Sequence, residues 1–181
     1  RKLLGEFSKD KNVLNVFSYT GGFSVYALKN GASKVVSVDL SADAIEMANK
    51  NAELNGVSTN HEGYAVDAFE YLKNEAINYD VVVLDPPAFA KRRNAIHNAV
   101  QGYKRLNALA MKKMKKGSIL FTFSCSQNIS SQLFNDTVRA AAIEAKRDIR
   151  IIKQLVQPED HPINIYHPEG EYLKGLVLYI D

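Results

Sequence analysis

The sequence predicts an α/β domain, a mainly parallel sheet with helices on both faces. Three observations predict it. Short runs rich in Val, Ile and Phe alternate with stretches of helical periodicity. The connections between these runs are long enough to hold the crossover helices that parallel pairing requires. With 46% hydrophobic and 24% charged residues, the 181-residue chain can bury a layered core, and its length fits one domain spanning 1–181.

Asn12–Phe17 (NVLNVF) reads as the first buried strand, and Gly21–Lys29 as a helix closed by the left-handed stop Asn30-Gly31. Lys34–Asp39 (KVVSVD) is β-branched and forms strand two. Ser41 caps a helix whose apolar stripe is Ala44, Ile45, Ala48 and Ala52, and Asn55-Gly56 ends it. A weaker strand follows near His61–Val66, then a short helix opened by the capping-box pair Asp67 and Glu70. Asp80–Leu84 (DVVVL) is a buried strand stopped by Asp85-Pro86-Pro87, because proline cannot donate to a central ladder. A long helix from about Ile96 to Lys116 stops at Gly117, and Ser118–Phe123 is the next strand. Ser130 or Ser131 starts a helix to about Lys146, Ile149–Val156 is a strand, and a polar loop leads to the last strand, Lys174–Ile180. There is no internal repeat and no linker.

Ten Gly and five Pro exclude a collagen-like or low-complexity chain. No apolar run approaches the ~18 residues of a membrane span, and the start RKLLGEFSK lacks the apolar core of a signal peptide. The single cysteine, Cys125, forbids an internal disulfide and leaves too few thiolates for a structural zinc site. These features point to a reducing cytoplasm, with no membrane and no metal. Because the first residue is not Met, the chain reads as beginning inside a longer gene product.

The net charge of +3 hides an asymmetry. Residues 91–116 hold nine Lys and Arg and no acid; removing them from the 23 basic residues leaves 14 against 20 acidic, a balance of −6. Clustered cations of this kind suit a phosphate backbone, although a solvated helix face is the plainer account.

In sheets of this class, ligands sit at the carboxyl ends of the strands where the strand order reverses. Four candidates lie at such ends. Ser18-Tyr19-Thr20-Gly21-Gly22-Phe23-Ser24 leaves strand one and opens a helix, offering close backbone approach and unpaired N–H donors. It is neither the dinucleotide fingerprint nor a Walker loop. Asp39 ends strand two, 18 residues after Gly21, where a carboxylate can accept both hydroxyls of a ribose; helix capping is the simpler alternative. Asp67 ends strand three and can face an adenine edge or serve only as an N-cap. Together these sites suit a nucleoside whose sulfonium needs no phosphate cradle, which is S-adenosylmethionine rather than ATP or NAD. The fourth candidate is the pair Asp85-Pro86-Pro87-Ala88-Phe89 and Ser124-Cys125-Ser126-Gln127, closing neighbouring strands. A core cysteine is usually a small hydrophobe. Cys125 sits just past a strand and between two serines, where a buried filler is not expected; a thiolate is the strongest common protein nucleophile, and adjacent helix N-termini can depress its pKa.

The set Phe17–Ser24, Ser37-Val38-Asp39, Asp85–Phe89, Thr122-Phe123-Ser124-Cys125-Ser126, Asp160-His161-Pro162 and Pro168–Gly175 resembles bacterial class I S-adenosylmethionine-dependent rRNA methyltransferases. The nearest group is the RlmI type, which makes 5-methylcytosine in large-subunit (23S) ribosomal RNA. The resemblance covers essentially the whole chain. It implies a Rossmann-like, seven-stranded sheet with the last strand antiparallel, and an upstream PUA RNA-binding domain that lies outside this chain. Ala88 departs from the Lys that relatives often carry. By resemblance, Phe17, Ser18, Tyr19, Thr20, Gly21, Asp39, Asp67 and Asp85 hold the cofactor, and Cys125 is the nucleophile. Its thiolate adds to carbon 6 of cytosine and makes carbon 5 nucleophilic toward the sulfonium methyl, while Asp85 hydrogen-bonds or protonates N3. A base, unnamed by the sequence, then removes the carbon 5 proton.

The target base must be flipped out or unpaired. Pro86, Pro87, Phe89, Lys91, Arg92, Tyr103 and His161 are the substrate-side candidates. Phe89, Tyr103 and Tyr172 are the stacking choices, His161 a candidate general base, and Gln127 and Asn128 possible hydrogen-bonders to the base. The partner is then large-subunit rRNA, with a homodimer as an option. Two other readings stay open: methylation of an RNA base nitrogen without a covalent step, suggested by the Asp-Pro-Pro-Ala-Phe segment, and a non-catalytic RNA-binding module on the same scaffold.

Overall fold

The computed structural model describes residues 1–75, 78–90 and 92–181. A short helix, α1 (Lys2–Glu6), precedes β1 (Asn12–Val16), α2 (Gly22–Lys29), β2 (Lys34–Asp39), α3 (Ala42–Leu54), β3 (His61–Ala65), α4 (Ala68–Asn74) and β4 (Val81–Leu84). The chain continues through α5 (Ile96–Lys113), β5 (Ile119–Ser124), α6 (Ser131–Ala145), β6 (Ile149–Leu155) and β7 (Lys174–Ile180). The seven strands lie in the order β3-β2-β1-β4-β5-β7-β6. β1 to β5 pair in parallel, and β7 runs antiparallel to both β5 and β6. The order reverses between β1 and β4, which places the ligand crevice at their carboxyl ends.

Alternate residues of each central strand feed the two core layers. Leu14, Val16, Val82, Leu84 and Leu120 pack against α4, α5 and α6, whereas Val13, Val35, Val81, Val83 and Phe121 face α1 and α2. Strands buried on both faces read as continuous apolar runs, which is why VVVL at β4 is so plain in the sequence. Three helix starts use the expected caps: Ser41 accepts from the Ala44 N–H (3.2 Å), Asp67 from Glu70 (3.0 Å) and Ser130 from Leu133 (3.1 Å). The long helix is shorter than its periodicity predicts. It ends at Lys113, because Met114 turns to ψ 140° and buries its side chain beneath the sheet layer.

Among the described residues no helix is long and apolar enough to cross a membrane. Nor do three His, Cys, Asp or Glu side chains among them gather to hold a metal ion.

Candidate active site

Two neighbouring groups of residues meet at the crevice. The first is the turn after β1. Phe17, Tyr19 and Gly21 all have left-handed backbone, with φ of 61°, 46° and 77°. Such a conformation costs on the order of 1 kcal/mol or more for each non-glycine residue and persists only where the surroundings fix it. Here Ser18 N–H donates to the Val38 carbonyl (3.0 Å), Gly21 N–H to the Ser18 carbonyl (2.9 Å), and Tyr19 N–H to Asp39 Oδ2 (2.9 Å). The other carboxylate oxygen of Asp39 accepts from Ser41 N–H at 3.0 Å. Asn51 of α3 donates to the Thr20 carbonyl (2.8 Å). Gly21 is required twice over: a Cβ there would lie 2.9 Å from that of Ala48, at a φ that L side chains rarely adopt.

This turn fits an adenosyl group. α2 starts without a side-chain cap, so its first-turn N–H groups have no intrahelical partner. The Ser18 hydroxyl is buried with no partner. Asp39 keeps lone pairs beyond the two it gives to the backbone, and these can accept from ribose hydroxyls. Val66 N–H donates to the Asp39 carbonyl (2.9 Å), which draws the end of β3 alongside. Asp67, one residue further, is exposed and caps α4 with one oxygen.

The second group closes β4, β5 and β7. Asp85 is mostly buried, and burial pushes its carboxyl up to about 6 against the opposing pull of the Arg1 guanidinium. Cys125 follows β5 half-buried, its thiol directed at the Pro86 carbonyl 3.9 Å away. Burial first, and then the Asp85 charge, push the thiol up. This corrects the expectation that helix N-termini depress it, since the start of α6 is already capped by Ser130 and a carboxylate is the stronger local field. Lys174, the first residue of β7, is only 9% exposed. Its Nζ donates to the carbonyls of Ser126 (2.8 Å) and Ile129 (2.7 Å). A cleft of about 540 Å³ opens beside these groups, walled by Phe23, Phe123, Asp85, Arg1, His161 and Lys174. Its rings Phe23 and Phe123 stack at 5.6 Å. His161 is exposed, its Nδ1 3.3 Å from Asp160.

Other substrate-side candidates separate. Tyr103 cannot stack on a base: it is 1% exposed, packed between Phe89 and Phe134, with its hydroxyl 3.0 Å from those of Ser124 and Ser126. It belongs to the apolar stripe of α5, and its polar tip is consumed in the core. Phe89 is partly buried and turned onto α5, where a Cβ at Gly102 would meet its ring at 2.9 Å. Pro86 is buried, while Pro87 and Arg92 are exposed; Lys91 lies outside the described residues. Gln127 and Asn128 instead hold their turn, donating to the carbonyls of Glu169 and Ala90 at 3.3 Å each.

Much of the basic stretch is engaged within the fold. Lys104 and Lys112 pair with Glu144 of α6 (3.1 and 3.2 Å), Lys115 with Asp80 (2.7 Å), and Arg105 lies over the Phe69 ring. Lys113 donates to the carbonyls of Lys73 and Glu75. Two contributors escaped the sequence reading, and a third, Lys174, entered it without a role of its own. Arg1 carries no motif, and Asn51 looks like any polar helix residue. Lys174 had a signal, a lysine at the head of the otherwise apolar run KGLVLYI.

The model of the family described as S-adenosylmethionine-dependent methyltransferase matches residues 1–167. The chain belongs to this family. Its cofactor is S-adenosylmethionine, which agrees with a glycine turn that lacks any phosphate cradle. Among curated proteins the chain is 46% identical to Ribosomal RNA large subunit methyltransferase I of Aeromonas salmonicida, covering 98% of this chain and 46% of that protein. It is 45% identical to the protein of the same name from Aeromonas hydrophila, with the same coverage. The chain therefore spans about half the length of the curated relatives it matches. Among solved structures, SMU.776 complexed with SAH superposes with a TM-score of 0.84 at 24% identity, over 98% of this chain and 47% of that one, which establishes the shared fold.

Proposed function

We propose that this domain transfers a methyl group to carbon 5 of a cytosine in large-subunit rRNA, through a covalent intermediate on Cys125. The observation that carries the reading is the meeting of Cys125 and Asp85 at the adjoining ends of β5 and β4, beside the adenosyl-fitted turn. The relatives named for large-subunit ribosomal RNA support the substrate class.

The bound cofactor supplies an electrophilic methyl on a sulfonium. The protein's own task is to make carbon 5 of cytosine nucleophilic. The Cys125 thiolate adds at carbon 6, and Asp85, protonated, donates to N3 and takes up the negative charge that addition pushes into the ring. A carboxyl near 6 keeps a usable protonated fraction close to neutrality, which an ordinary carboxylate does not. After methyl transfer a base takes the carbon 5 proton, the carbon–sulfur bond breaks to release the thiolate, and N3 returns its proton to the Asp85 carboxylate, restoring the aromatic ring. The turn Phe17–Gly21 and Asp39 would hold the cofactor, with Asp67 toward its adenine, and the base would sit between Cys125 and Asp85, next to the cleft walled by Phe123 and His161.

The test uses the full-length protein with labelled S-adenosylmethionine and large-subunit rRNA. Wild type gives 5-methylcytidine on nucleoside analysis, and RNA carrying 5-fluorocytosine gives an adduct stable to denaturation that Cys125→Ala does not form. Label appearing on a ring or exocyclic nitrogen, or undiminished carbon methylation by Cys125→Ala, defeats the reading.

A further inference from the structure

We propose that Lys174 is a positioning residue for the thiol: its ammonium clamps the turn that follows Cys125 and sets a full positive charge beside the sulfur. The proposal rests on the reading of Cys125 as the nucleophile.

A lysine 9% exposed at the head of an apolar strand is costly unless its donors are used. Two of the three are spent on main-chain carbonyls one and four residues past Cys125, those of Ser126 and Ile129. No carboxylate is paired with it among the described residues. The clamp is thus a full cation directed at the turn Cys125–Ile129, not half of a neutral pair. The same turn is fixed from other sides: the Ser126 hydroxyl accepts from the Ala90 N–H (3.3 Å) and meets the Tyr103 hydroxyl (3.0 Å), and Asn128 donates to the Ala90 carbonyl. Holding the turn therefore does not require a charge, and a neutral donor would suffice. What a charge adds is electrostatic. The groups facing the thiol are the Asp85 carboxylate, which opposes its ionisation, and the Lys174 ammonium, which favours it. Reciprocally, burial pulls the Lys174 ammonium down while the Cys125 thiolate pulls it up.

Alkylation by iodoacetamide, followed by mass spectrometry on the peptide that carries Cys125, reads its ionisation directly and without RNA. Lys174→Met is expected to move the midpoint of the alkylation rate against pH upward by about one unit, roughly a tenfold slower reaction at pH 8. Lys174→Arg, which keeps the charge, should recover most of that shift, and Lys174→Gln, which keeps a donor but no charge, should not. Binding of S-adenosylhomocysteine by each variant reports that the fold is intact. An unmoved midpoint in the folded neutral variants overturns the proposal. Should the neutral variants fail to fold, NMR titration of isotope-labelled lysine in wild type and Cys125→Ser reads the same coupling: the Lys174 titration falls when the thiol is removed, and an unchanged one overturns it. Undiminished methyl transfer by Cys125→Ala defeats the nucleophile assignment whatever the midpoint does. Lost transfer in that variant with an unmoved midpoint defeats only the role given to Lys174.

Discussion

The turn between β1 and α2 and the edge formed by β4, β5 and β7 lie side by side yet are built on opposite principles. In the turn, titratable side chains serve the backbone: Asp39 spends both oxygens on main-chain N–H groups, and left-handed residues are held by hydrogen bonds and by the close approach of α3. At the edge, backbone and core serve titratable side chains. Asp85 and Cys125 are pushed up and Lys174 down, each disfavoured in its charged form by burial. The first region offers a shape that is complete before the ligand arrives. The second gathers three groups whose titration burial biases toward the neutral form, the arrangement expected where protons and electron pairs move.

If that division is right, the two regions must fail differently. Cys125→Ala should reduce methyl transfer by about 10³-fold or more with S-adenosylhomocysteine affinity unchanged by calorimetry; equal losses in both would erase the division. Asp39→Ala should do the converse, weakening S-adenosylhomocysteine by roughly 10–100-fold, since a ribose anchor and two backbone contacts go together, while transfer at saturating cofactor stays within a few-fold.

Asp85→Asn sharpens the contrast through stability. The folded carboxyl titrates near 6, above its ordinary value, so the neutral form is the one the fold prefers. That preference is intact in acid and is lost as pH rises through about 6. Chemical denaturation at pH 8 should therefore find Asp85→Asn more stable than wild type by about 1–3 kcal/mol, with the advantage gone by about pH 4. A variant less stable at pH 8 would mean that the carboxylate is welcomed by its site. The smallest effect is reserved for Tyr103→Phe. Losing a buried hydroxyl shared by Ser124 and Ser126 should cost about 1–2 kcal/mol of stability and leave RNA affinity unchanged in filter binding.

The same division explains what the sequence could and could not reveal. Strands buried on both faces and helices with side-chain caps write themselves locally, so β2 and β7 lie within the bounds their patterns predict and Ser41, Asp67 and Ser130 cap as expected. The glycine turn is legible for the same reason: its requirement is conformational, and conformation is a property of neighbours in sequence. The short α1 has too few turns to show a period, and its burial depends on α2 and the sheet. Spacing alone cannot assign Tyr103, the aromatic residue on α5, to core or cleft, and it went to the core. The charge on Lys174 has meaning only through carbonyls 45 and 48 positions earlier, a separation that no local pattern spans.

β7 runs against its neighbours, so it is the beginning of that strand, not its end, that reaches the reactive rim. Polypeptides are made from the amino end, and Cys125 leaves the ribosome 49 residues ahead of Lys174. Until β7 enters between β5 and β6, a nascent copy has no lysine to bond the carbonyls of Ser126 and Ile129. The strand that brings Lys174 to the rim is thus synthesised after every strand it joins, and its amino end takes its place only when β7 pairs with β5.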